Sequence, residues 1–160
     1  PELFEYLMEF QDLGPSGGVD PERVILAACR RKAEIVEADE IETGLRRVLN
    51  FGHTIAHAVE AASGYGKIRH GEAVILGMKA ALAVSARMTG LPEGQFTRAM
   101  DLLSRVPVPA IDLGDDLYKY IIRDKKSCGG SVTTVLLESI GTAKFIPLPD
   151  PGILVEALLS

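Results

Sequence analysis

The segment from Ala73 to Met88 constrains this chain more than any other. It is apolar almost all round and carries Ala73, Ala80, Ala81, Ala83 and Ala86. A helix of that kind offers no face to water. It belongs inside a bundle, where small side chains let neighbouring backbones approach closely. Lys79 and Arg87 interrupt the run, and it is shorter than the ~20 apolar residues a bilayer requires, so no membrane span is expected. The 160 residues are 47% hydrophobic and 24% charged, the usage of a single globular domain. A chain of this size buries roughly 70% of its extended surface, enough for a real core.

The flanking segments are also mostly helical in period. Leu3, Tyr6, Leu7 and Phe10 predict a short first helix that ends at the Gly14–Gly18 loop. Asp20 reads as an N-cap with Pro21 at the first helical position, opening a helix through Val24, Ile25, Ala28 and Cys29 toward Val36. A second long helix is expected from about Gly44 through Leu45, Leu49, Ile55, Ala58 and Val59, stopping near Ser63-Gly64. His70-Gly71-Glu72 opens the buried helix, and Thr89-Gly90-Leu91-Pro92 closes it. Amphipathic helices are expected over Glu93 to Val106 and Asp115 to Lys125. Val132 to Leu137 and Ala143 to Leu148 form a β-hairpin around Gly141, and Asp150-Pro151 starts a terminal helix. The fold class is mainly α: a helical bundle with a small β-hairpin near the C-terminus. Residues 1–160 read as a single domain.

Acidic residues outnumber basic ones 22 to 17, a formal charge of -5. That balance argues against nucleic acid as the partner, because phosphate backbones select a positive footprint. Cys29 and Cys128 stand far apart in no CxxC pattern, so they read as packing or surface thiols in a reducing cytoplasm. No signal peptide is visible. The start at Pro1 is the start expected of a piece of a longer protein.

The chemistry is concentrated in one stretch. All three histidines, His53, His57 and His70, lie within 18 positions. His53 and His57 are four apart, so on a helix their rings share one face, about 6 Å apart along the axis. Two such imidazoles and a third from the next helix can close around a divalent cation such as zinc. Polar core histidines with backbone partners are the alternative. Thr54 stands where an HExxH protease has its glutamate. Arg46, Asn50, His53 and His57 follow i, i+4, i+7, i+11, a polar stripe on the same predicted helix, with Leu45, Val48, Leu49, Ile55 and Val59 opposite for packing. Asparagine and histidine are weak helix formers, so this stripe suits a ligand better than open solvent. Arg46 can grip a carboxylate in a bidentate fork. Lys32 and Lys125 or Lys126 add point charges for phosphate, although a solvated helix end would also carry the Asp124-Lys125-Lys126 run. No nucleotide-binding glycine pattern is present.

The run from Asp39 to Glu60, DEIETGLRRVLNFGHTIAHAVE, followed by His70-Gly71-Glu72-Ala73-Val74, resembles the 3-dehydroquinate synthase family of sugar-phosphate cyclases. Arg123-Asp124-Lys125-Lys126 and the hairpin match that family's downstream pattern. Ala56 departs from it, standing where glycine is usual. The resemblance implies that His53 and His70 are metal ligands, completed by a glutamate of an upstream Glu-x-x-Lys helix that would precede Pro1. It makes His57 an active-site histidine that is not a ligand. Lys32, Glu42, Arg46 and Asn50 match catalytic and substrate-binding positions, and one of Lys125 and Lys126 matches a phosphate contact. The implied cofactors are Zn2+ (or Co2+) and NAD, the latter held mainly by an N-terminal domain absent from this sequence. The implied reaction is a lyase step of the shikimate pathway to the aromatic amino acids. A seven-carbon keto sugar-acid phosphate (DAHP) becomes 3-dehydroquinate and phosphate through oxidation, phosphate loss, re-reduction, ring opening and aldol closure. A cytoplasmic homodimer and an inactive isolated chain are expected. Two other readings remain open on sequence: another sugar-phosphate cyclase or a metal-dependent polyol dehydrogenase, and a non-catalytic helical module with structural histidines.

Overall fold

The alanine-rich segment forms α4 (His70–Met88), and the rest of the chain is arranged around it. The computed structural model describes residues 2–41, 44–64, 66–111, 117–121 and 132–160. Before α4 come α1 (Glu2–Met8), α2 (Pro21–Ala38), a 3-10 helix (Leu45–Asn50) and α3 (His53–Ser63). After it come α5 (Glu93–Ser104), a helical segment over 117–121, β1 (Val132–Ser139), β2 (Thr142–Leu148) and α6 (Gly152–Leu159). The expected helix from Asp115 to Lys125 is seen at 117–121, and its remainder lies outside the described residues. No helix among the described residues is long and apolar enough to cross a membrane.

α4 packs against α3, α5, β1 and α6. Three of its five alanines do what the sequence predicts: Ala73, Ala80 and Ala81, with Val84, join Ile55, Ala56, Ala58 and Val59 of α3 and Leu154 and Val155 of α6 in the main core, whereas Ala83 is half-buried and Ala86 is exposed. A second cluster joins Leu82 to Leu91, Ala99 and Leu103. The closest approach falls at Gly77, where an added Cβ would lie 1.9 Å from the Gly52 carbonyl oxygen. Gly52 answers with φ +83, a left-handed conformation that favours glycine.

That approach corrects one expectation. The helix predicted from about Gly44 to near Ser63 is two elements, because Gly52 breaks it and the residues before it form a 3-10 helix. Arg46 and Asn50 therefore do not share one α-helical stripe with His53 and His57. The apolar side also divides: Ile55 and Val59 are buried, whereas Leu45 is 51% exposed.

Local signals hold elsewhere. The Asp20 carboxylate accepts the N–H groups of Glu22 (3.0 Å) and Arg23 (3.3 Å), capping α2 above Pro21. The hairpin is antiparallel, pairing Val132 with Leu148 through Ser139 with Thr142, with an irregularity between Leu137 and Ser139. It is tied to α4 by Ser85, which is fully buried, donates to the Ala81 carbonyl at 2.6 Å and accepts the Leu137 N–H at 2.9 Å. At the terminal helix Asp150 accepts the Gly152 N–H at 2.9 Å, with Pro151 as the residue before the first turn.

Candidate functional site

Four of the residues singled out in the sequence converge where α2, the 3-10 helix and the start of α3 meet. Lys32, Arg46, Asn50 and His53, with Leu49, line an open cleft of about 380 Å³. Lys32 comes from α2, Arg46, Leu49 and Asn50 from the 3-10 helix, and His53 from the first turn of α3. Leu49, expected on the packing side, is a wall of this cleft. Among the described residues, two cationic side chains and no carboxylate line it, a lining whose field favours anions.

Asp39 builds the approach to Arg46. One of its carboxylate oxygens accepts the backbone N–H of Gly44 at 2.8 Å and of Arg46 at 2.9 Å. The Arg46 guanidinium donates through Nη1 to the Glu40 carbonyl at 2.8 Å, which leaves further N–H donors of its fork for a ligand. Behind it, the Arg47 guanidinium sits 5.0 Å from the centroid of the Phe145 ring and ties the 3-10 helix to the hairpin. Asp39 opens the quoted motif, yet sequence reasoning gave it no role. A carboxylate followed at short range by glycine was the available signal for a loop anchor.

Beside the cleft the three imidazoles meet. Ring centroids are 5.2 Å apart for His53 and His70, 5.9 Å for His53 and His57, and 6.1 Å for His57 and His70. A zinc-bound nitrogen lies about 2.0–2.1 Å from the ion, so two rings on one tetrahedral ion have centroids about 5.2 Å apart. The wider separations would open the angle at the ion to about 135–145°. The His53–His70 separation matches that value, and all three rings lie close enough to approach one ion; His57, like His70, is exposed. Among the described residues no three His, Cys, Asp or Glu side chains form a set that would hold a metal ion.

The chemistry of the pair suits a cation. His53 Nδ1 faces the Phe51 carbonyl at 3.4 Å, an oxygen that only accepts, so the proton of the neutral ring sits on Nδ1 and Nε2 keeps its lone pair. Burial lowers the pKa of His53; the Phe51 carbonyl opposes this, while His70 and His57 reinforce it. A ring held neutral is ready to ligate. His70 opens α4, where Glu72 fixes the first turn by accepting the Arg69 N–H at 2.8 Å. Glu42, Lys125 and Lys126 lie outside the described residues, as does Cys128; Cys29 is exposed.

A family model described as 3-dehydroquinate synthase C-terminal matches residues 1–127. The 3-dehydroquinate synthase of Enterococcus faecalis is 41% identical over 135 residues, covering 82% of this chain and 38% of that protein. That of Microcystis aeruginosa is 35% identical, covering 98% and 44%. The chain thus spans about two fifths of the length of these curated relatives. Among solved structures, 2-epi-5-epi-valiolone synthase from Streptomyces hygroscopicus, with NAD+ and Zn2+ bound, superposes with a TM-score of 0.74 at 27% identity, over 99% of this chain and 45% of that one. A 2-deoxy-scyllo-inosose synthase complexed with carbaglucose-6-phosphate, NAD+ and Co2+ shares the fold at TM-score 0.71 and 22% identity, over 98% and 49%. The chain belongs to the 3-dehydroquinate synthase C-terminal family.

Proposed function

We propose that the protein carrying this chain is a 3-dehydroquinate synthase, and that the chain supplies two metal ligands and most of the substrate cleft. The observation that carries the reading is the 5.2 Å spacing of His70 from His53, which itself lines a cleft with Lys32 and Arg46. The substrate is a phosphorylated, carboxylated seven-carbon keto sugar, and the product is 3-dehydroquinate in the shikimate pathway. When bound, a divalent ion polarises a substrate hydroxyl or carbonyl oxygen, and NAD accepts and returns a hydride.

The chain's own residues bind and orient. His53 and His70 hold the ion, with a carboxylate supplied from outside this chain as the third ligand. The Arg46 fork takes the substrate carboxylate. Lys32 offsets negative charge across the cleft, and Asn50 orients a hydroxyl. His57, exposed beside the pair, is by resemblance an active-site histidine that is not a ligand and holds or moves a proton. By resemblance, Glu42 and one of Lys125 and Lys126 complete the substrate contacts. Lys32, Glu42, Arg46, Asn50 and His57 are thus the proposed catalytic and binding set. A cytoplasmic homodimer is the assembly we infer, again by resemblance.

The test uses the full-length enzyme. His53→Ala and His70→Ala are expected to cut both zinc uptake and 3-dehydroquinate formation on the order of 100-fold or more. Wild-type rates in either variant would end the assignment. Arg46→Ala is expected to raise KM for the acid substrate about 10- to 100-fold, the size of a lost charged hydrogen-bond pair. The cyclase likeness favours one other reading, a synthase acting on a sugar phosphate without the carboxylate. Preference for such a substrate over the acid would select it.

A further inference from the structure

Glu60 is an acidic residue of the motif that none of these roles uses. It lies on α3 three residues after His57 and seven after His53, hence on the histidine face of that helix. Its side chain is 20% exposed, and Oε2 lies 3.2 Å from His70 Nδ1 across the α3–α4 junction. His70 is the side-chain partner of this carboxylate among the described residues. An ionised carboxylate has no proton to give. The proton of the shared hydrogen bond therefore sits on His70 Nδ1, and the lone pair of the neutral ring is on Nε2.

We propose that Glu60 is the positioning residue of the metal centre: it fixes the tautomer and ring orientation of His70 so that Nε2 faces the ion. The role parallels that of the Phe51 carbonyl at His53, so both imidazoles are held by Nδ1 from opposite ends of α3. The two anchors are unequal. His53 is half-buried and held by the fixed backbone of its own helix start, whereas His70 is exposed and would sample other rotamers without a partner. A charged acceptor at that point orients the ring and makes Nε2 a stronger donor. The inference rests on the proposed metal site, and its failure can be told apart from failure of that reading.

The experiment measures zinc affinity of the full-length protein by competition with a chromophoric chelator, alongside melting of the metal-free protein. Glu60→Ala is expected to weaken zinc binding about 10- to 100-fold, beyond any loss that a change in folded fraction explains. Glu60→Gln keeps an acceptor for Nδ1–H and is expected to recover most of that loss. Unchanged affinity in Glu60→Ala, with binding abolished in His70→Ala, overturns this inference and leaves the metal site standing. Loss in Glu60→Ala as complete as in His70→Ala also overturns it, because Glu60 would then be a ligand. Wild-type affinity in His70→Ala defeats the metal site itself. Should Glu60→Ala not fold, the ring of His70 in the metal-free wild type decides. Nitrogen-15 shifts at a pH where it is neutral are expected to report Nδ1–H, and Nε2–H there overturns the proposal.

Discussion

At the scale of single residues, the placement of His53 depends on two glycines that touch no ligand. A methyl group at Gly77 would meet the Gly52 carbonyl oxygen at 1.9 Å, so the α3 and α4 backbones must separate to admit it. Alanine is the better helix former by about 1 kcal/mol, but overpacking of a close contact costs about 1–3 kcal/mol, and here there is no flexible side chain to yield. Gly77→Ala is therefore expected to lower the melting temperature by about 3–10 °C and to weaken zinc binding, because Gly52 is the residue that launches His53. Gly71 lies in the first turn of the same helix with open space around it. Gly71→Ala is expected to leave the melting temperature unchanged or slightly higher. Equal destabilisation by the two substitutions, followed by thermal melts, would show that the close approach is not the cause.

At the scale of elements, α4 serves both as core and as the strut to which the hairpin is fastened. Ser85 occupies the joint: buried, bonded to the Ala81 carbonyl, and the acceptor for the Leu137 N–H. Ser85→Ala leaves that half-buried N–H without this acceptor and is expected to cost about 1 kcal/mol, read as a lower urea midpoint at unchanged slope. Thr97→Ala, which removes an exposed hydroxyl bonded to the Glu93 carbonyl at 3.0 Å, is expected to stay within about 0.5 kcal/mol. The elements were legible in sequence wherever their cause was local. Asp20 with Pro21 announced α2, the alanines of α4 announced a buried helix, and alternation around Gly141 announced the hairpin. The break at Gly52 had a local signal, a glycine inside a helical pattern, which the apolar periodicity overrode, whereas its close contact with Gly77 has meaning only once α3 lies against α4. For the same reason spacing alone admitted all three histidines as ligands. The separations that favour His53 with His70 depend on how two helices cross.

At the scale of the whole molecule, the site is a seam. The 18-residue α2 buries none of its residues, and Ile25 is 62% exposed, yet this helix carries Lys32 into the cleft. The chain spans about two fifths of its relatives' length, and the metal donors proposed among its described residues are a pair of imidazoles. Catalytic zinc sites use three protein ligands, so a pair holds the ion far less firmly. The 160-residue chain alone is expected to bind zinc at least about 100-fold more weakly than the full-length protein and to form no 3-dehydroquinate. Because an ion that binds only the folded state stabilises by RT ln(1 + [L]/Kd), zinc at 100 times its Kd adds about 2.7 kcal/mol. Chelation should thus lower the melting temperature of the full-length protein while leaving its His70→Ala variant, and the chain alone, nearly unmoved. If the chain alone bound zinc as tightly as the full-length protein, every ligand would have to come from these 160 residues, and the third would have to be sought among them.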